Sequence, residues 1–91
     1  MNITHRIITF ASGDWAWPVD SAVNLRVRAV REATDGDWKT NLARQSWPTI
    51  PSGTEATVVK IWQNFEGMWC TIVFDDKRID VRPLDLQLLA L

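Results

Sequence analysis

The 91-residue sequence predicts an all-β fold, and three observations carry that expectation. Val, Ile and Thr, which suit a pleated half-buried surface, supply about a quarter of the chain. Long apolar runs at helical spacing are scarce, whereas short stretches of apolar–polar alternation recur, the period-two signature of a strand with one face buried. Clusters of Gly, Pro, Asn, Asp and Ser separate those stretches, as turns require. With 46% apolar and 23% charged residues the chain can close one hydrophobic core, and its length suits a single domain over residues 1–91.

Ile3 to Phe10 is apolar enough to add an edge strand or to exchange between two protomers, and residues 1–22 read as an N-terminal extension ahead of a main body over 23–91. Within the extension, Trp15-Ala16-Trp17-Pro18 in extended backbone sets two indoles on one side, about 6–7 Å apart, beside a proline that restricts the chain. This aromatic platform either docks on the body or meets a partner. Val23 to Ala29 alternates without a slip, with Val23, Leu25, Val27 and Ala29 on one face and Asn24, Arg26 and Arg28 on the other, a half-buried strand. A helix capped by Asp20 or Ser21 competes, because Val19, Val23, Val27 and Val30 also fall at helical spacing.

From Glu32 to Ser52 the periodicity dissolves into a long loop, and loops above about 12–15 residues are usually functional or carry short structure of their own. Thr54 to Trp62, the turn Asn64-Phe65-Glu66-Gly67 and Met68 to Phe74 form a hairpin, in which Cys70, Ile72 and Phe74 face inward. Asp75-Asp76-Lys77 turns the chain into Arg78 to Val81, completing a three-strand meander. Pro83, which cannot donate to a ladder, predicts a single 3₁₀ turn before a short last strand.

Three segments together resemble the Src-homology-3-like small barrels. They are Ile50-Pro51-Ser52-Gly53-Thr54 leading into Glu55 to Val59, Gly67-Met68-Trp69-Cys70-Thr71-Ile72-Val73-Phe74-Asp75, and Val81-Arg82-Pro83-Leu84-Asp85-Leu86. Those families place a Pro-x-Gly-Thr turn before the second strand, a Trp-x-x-Val-x-Phe third strand, and a closing Asp-Leu after a 3₁₀ turn. The resemblance covers residues 50–86 and implies a small five-stranded barrel, with the N-terminal extension as an addition to it. Ala56 stands where many relatives carry glycine.

Charge and composition exclude several function classes. Ten basic against eleven acidic residues leave a net charge of −1, which offers no long-range field to a polyanion, so nucleic acid is not the expected partner. No run of about 20 apolar residues predicts a membrane span, and the first residues lack the apolar core of a secretory signal. One cysteine, Cys70, cannot form an internal disulfide, which fits a reducing, cytoplasmic setting. His5 is the only histidine and lies near the N-terminus, while Cys70 sits on an apolar strand face, so no nucleophile–base pair is expected. No His/Cys set has zinc spacing, Asp35-Gly36-Asp37 lacks the further acidic positions of a calcium loop, and no glycine-rich phosphate loop occurs. Asp75 and Asp76 are turn residues rather than a catalytic pair. Neither cofactor nor metal nor catalysis is expected.

Tryptophan is the anomaly, with six indoles and no tyrosine. Each buries about 150–250 Å², more than so small a core can absorb six times over, and the surplus suits interface anchors. The expected function is therefore a non-enzymatic binding module that meets a protein partner through Trp15, Trp17, Trp38 and Trp47, with Arg26 and Arg28 setting orientation. The apolar tail Leu86 to Leu91 adds an expected homodimer through Leu88, Leu89 and Leu91. Two alternatives stand beside it. Small barrels also bind single-stranded nucleic acid by stacking. Plasmid-borne type II dihydrofolate reductases assemble an active site from similar barrels, but their Val-Gln-Ile-Tyr run is replaced here by Arg78-Ile79-Asp80-Val81.

Overall fold

The computed structural model describes residues 5–18, 21–36 and 48–90, and within them the fold is all-β, with one 3₁₀ turn and no α-helix. The strands in chain order are β1 (His5–Phe10), β2 (Gly13–Pro18), β3 (Ser21–Ala29), β4 (Ala33–Thr34), β5 (Thr49–Ile50), β6 (Glu55–Asn64), β7 (Gly67–Phe74), β8 (Lys77–Val81) and β9 (Leu86–Ala90). The 3₁₀ turn spans Pro83–Asp85, directly before β9, as the proline predicted. Antiparallel pairing orders the main sheet β8-β7-β6-β3-β9. Its edge strands do not pair with each other, so hydrogen bonds do not close the sheet into a barrel.

Alternation explains why β3 is a strand and not the competing helix. Leu25, Val27 and Ala29 are buried while Arg26 is exposed and Arg28 half-buried, and a helix would scatter that period-two set around its circumference. The inward faces of β6, β7 and β8 add Val58, Ile61, Ile72 and Ile79 to the same core, and Leu86 closes it from β9. Cys70 is buried among them. Bulges at Ala22/Leu25 in β3 and Val58/Lys60 in β6 shift the register locally, and the added residue bends the strand.

The N-terminal segment forms its own hairpin instead of joining an edge of the main sheet. β1 pairs only with β2, in the register Ile8↔Trp15 and Phe10↔Gly13 around an Ala11-Ser12 turn. Ile8 and Phe10 are nonetheless part of the common core. The tip of the hairpin is tied to β9: Ala11 N–H donates to the Leu86 carbonyl at 2.8 Å and Leu88 N–H donates to Ser12 Oγ at 3.0 Å. The extension thus shares its hydrophobic interior with the body. In the long loop, β4 and β5 form a brief ladder, Ala33↔Ile50 and Thr34↔Thr49, short structure of the kind such loops carry.

Turn chemistry follows the predicted residues. The β6–β7 hairpin turns at Phe65-Glu66, where Asn64 Oδ1 accepts from Glu66 N–H at 2.9 Å and Gly67 takes φ +112°. At the β7–β8 turn Asp75 and Asp76 hold φ values of +47° and +60°, the two left-handed residues of a type I′ turn. No helix of the described residues is long and apolar enough to cross a membrane.

Candidate functional site

The outer face of the main sheet carries the side chains that its strands point away from the core. At the turn end of β6 and β7 it carries a cross-strand pair: the two strands turn symmetrically about Phe65-Glu66, which brings Trp62 opposite Trp69. The two rings stack with centroids 6.0 Å apart and planes 22° from parallel. Trp69 is buried at 7% exposure, whereas Trp62 is half-buried and presents part of its ring outward.

Each indole is fixed by polar partners. Trp69 Nε1–H donates to Asn64 Oδ1 at 3.0 Å, and the Arg82 guanidinium carbon lies 3.8 Å from the Trp69 ring centroid, a cation–π contact. Arg82 is anchored in turn, because its Nη1 donates to the Met68 carbonyl at 3.0 Å. Trp62 Nε1–H donates to Thr71 Oγ1 at 2.9 Å, and the Thr71 hydroxyl donates to Asp80 Oδ1 at 2.6 Å. Thr71 is buried, so this relay satisfies a polar group that would otherwise cost about 1–3 kcal/mol. The segment after β4 closes over the same end: Gly36 N–H donates to the Asp80 carbonyl at 2.9 Å and Asp80 N–H donates to Asp35 Oδ1 at 3.0 Å. Gly36 lies against the outer edge of the Trp69 ring.

Beside this aromatic end runs a basic region. Arg26, Thr57, Val73 and Arg78 stand in register across β3, β6, β7 and β8. Arg26 Nη1 donates to Thr57 Oγ1 at 2.9 Å, and Arg26 and Arg28 share the Glu55 carboxylate at 3.3 and 3.4 Å. Lys60 and Arg78 are exposed on the same face. Among the described residues its cations are Arg26, Arg28, Lys60, Arg78 and Arg82 against the carboxylates of Glu55 and Asp80 and of Asp35 beside Asp80, a local positive excess on a chain whose net charge is −1.

The residues expected to bind are distributed unevenly. Arg26 and Arg28 project together from β3, and Arg31, which also follows β3, pairs with Asp85 at 2.9 Å. Trp15 and Trp17 are half-buried against the core, Trp15 meeting Phe10 edge-to-face at 5.8 Å. Trp38 and Trp47 lie outside the described residues. Leu88 packs half-buried on the core, Leu89 is exposed and Leu91 lies outside the described residues. Trp62, Trp69, Arg78 and Arg82 were not among the expected contacts. The signal for the two indoles was present: Trp62 and Trp69 are equidistant from the Phe65-Glu66 turn, and the inward Cys70, Ile72 and Phe74 put Trp69 on the opposite face.

Among the described residues no group of three or more His, Cys, Asp or Glu is placed to hold a metal. Burial pushes the Cys70 thiol up to about 12, which keeps it protonated and unreactive at neutral pH. Comparison of the chain with known protein families, with curated proteins and with solved structures yields no match.

Proposed function

We propose that this protein is a non-enzymatic binding module, a small barrel of Src-homology-3-like layout, that meets a partner protein through the outer face of its main sheet. The observation that carries the reading is Trp62, a half-buried indole on the outer face held in one orientation by Thr71 and by the Trp69 ring. A large aromatic surface fixed before contact loses little conformational freedom on binding, which is what makes tryptophan an effective anchor. Trp62 takes precedence over Trp15 and Trp17, whose packing on the core accounts for them structurally. Trp38 and Trp47 retain their place on sequence grounds alone. The strand order β8-β7-β6-β3-β9, the 3₁₀ turn before β9 and Pro51-x-Gly53-Thr54 ahead of β6 support the barrel layout. Self-association through the C-terminal strand, with Leu89 exposed, and a cytoplasmic location belong to the same proposal.

Selection from a displayed library of short random peptides tests the module. Peptides should be enriched, and Trp62→Ala should weaken them by about 30-fold, the effect of a hot-spot residue worth about 2 kcal/mol. Circular dichroism establishes that the variant is folded. No enrichment, or equal binding by folded Trp62→Ala, overturns the reading.

A further inference from the structure

We infer that the partner segment is extended and acidic, with carboxylates at two positions four residues apart and an apolar side chain midway, laid across the strands from Arg26 to Arg78. The inference rests on the binding-module reading and adds a second contact for the same partner: the row lies four residues along β7 from Trp69, about 14 Å from the Trp62–Trp69 pair, so the partner meets Trp62 with a neighbouring part of its chain.

The geometry sets the spacing. Arg26, Thr57, Val73 and Arg78 occupy one register row over four adjacent strands. Neighbouring strands are about 4.8 Å apart, so three steps separate the two arginine positions by about 14 Å. An extended peptide rises about 3.4 Å per residue, so about four residues span that distance. Its side chains alternate, and residues one, three and five of such a segment therefore face the sheet together. The outer two meet the guanidinium groups and the middle one meets Val73 and Thr57, both half-buried.

Charge selects the class of partner. Arg26 and Arg28 have one carboxylate, Glu55, between them, which leaves a surplus positive charge and unused N–H donors at that end. At the other end Arg78 is exposed and forms no ion pair among the described residues. Guanidinium groups grip carboxylates with paired hydrogen bonds, so each end is a suitable receptor. Asp80, two residues beyond Arg78 on the same face, disfavours an acid there and confines the paired acids to the Arg26–Arg78 row. A nucleic acid strand would need a line of phosphate contacts and successive stacking rings, whereas among the described residues the face offers a single half-buried indole beside a buried one, on a chain of net charge −1.

The same library, sequenced and followed by anisotropy titrations of the winning peptides on the whole protein, decides the matter. The expected consensus is Asp/Glu-x-apolar-x-Asp/Glu. Arg78→Glu should weaken the winners by about tenfold and convert the preference at one terminal position to Lys or Arg, leaving the other acidic, with the melting temperature unchanged. Winners that depend on Trp62 but lack the paired acids overturn this inference and leave the binding module standing. An empty selection overturns both. Tighter binding of a single-stranded oligonucleotide than of any peptide, with a steep negative salt slope, assigns the face to nucleic acid and overturns the acidic-peptide inference.

Discussion

Gly36→Ala adds one methyl group against the buried ring of Trp69. A Cβ at position 36 stands 2.5 Å from Trp69 Cη2 and also strikes Cζ3. Carbon atoms rest at about 3.5–4.0 Å, so ring and methyl must separate by about 1 Å. Neither side is free to move. Trp69 is held by Asn64 at 3.0 Å, by the stacked Trp62 ring and by Arg82, and the Gly36 backbone is pinned to the Asp80 carbonyl at 2.9 Å. Overpacking of this kind costs about 1–3 kcal/mol. For a domain of this size each kcal/mol lowers Tm by about 4–8 °C, so a fall of roughly 5–20 °C is expected by calorimetry or tryptophan fluorescence. Phenylalanine at 69 lacks the outer ring atoms the methyl strikes, so Gly36→Ala should cost markedly less in a Trp69→Phe background, a coupling a double-mutant cycle measures. A change within about 0.5 kcal/mol of wild type, or an equal loss in both backgrounds, refutes the packing argument.

Two further outcomes are expected. The β7–β8 turn holds Asp75 and Asp76 at positive φ, so Asp75→Asn with Asp76→Gly should raise stability by about 0.5–1 kcal/mol in urea titrations, and a loss would contradict the type I′ turn. Because burial raises the Cys70 thiol from 9.0 to about 12, the folded chain keeps a proton that the unfolded chain releases. Its contribution is therefore intact below pH 9 and is lost as the pH rises toward 12. The urea midpoint should fall from pH 8 to pH 10 more steeply than in Cys70→Ala, and alkylation at pH 8 should wait for unfolding. Rapid labelling of the native protein, or equal pH slopes, would contradict a buried thiol.

Much of the fold was readable locally. The alternation of Val23 to Ala29, the turn residues Asn64 to Gly67 and Asp75-Asp76, and Pro83 before the last strand each act through the conformations of a few consecutive residues, and each is found where it was expected. The site was less readable. Trp15 and Trp17 drew attention because they are neighbours in sequence, yet their hairpin turns both onto the core. Trp62 and Trp69 are seven positions apart and meet only once the β6–β7 register is known. Arg82 gains its setting from Met68 and Trp69 on the neighbouring β7, and Arg78 joins the row of Arg26 only through the pairing of β3, β6, β7 and β8.

The amino-acid order alone pointed to the turns and to strands whose inward side chains alternate, as Cys70, Ile72 and Phe74 do in β7, because period-two alternation and positive-φ turns are short-range properties of the backbone. The β6 bulge that turns both Val58 and Ile61 inward was not readable there. Only the tertiary arrangement decided that the N-terminal segment forms a separate hairpin sharing the core, and that Trp62, Trp69 and the arginines of β3 and β8 come to lie on one face. Those placements depend on the pairing of strands far apart in sequence, and pairing is chosen by how the whole apolar surface can be buried at once.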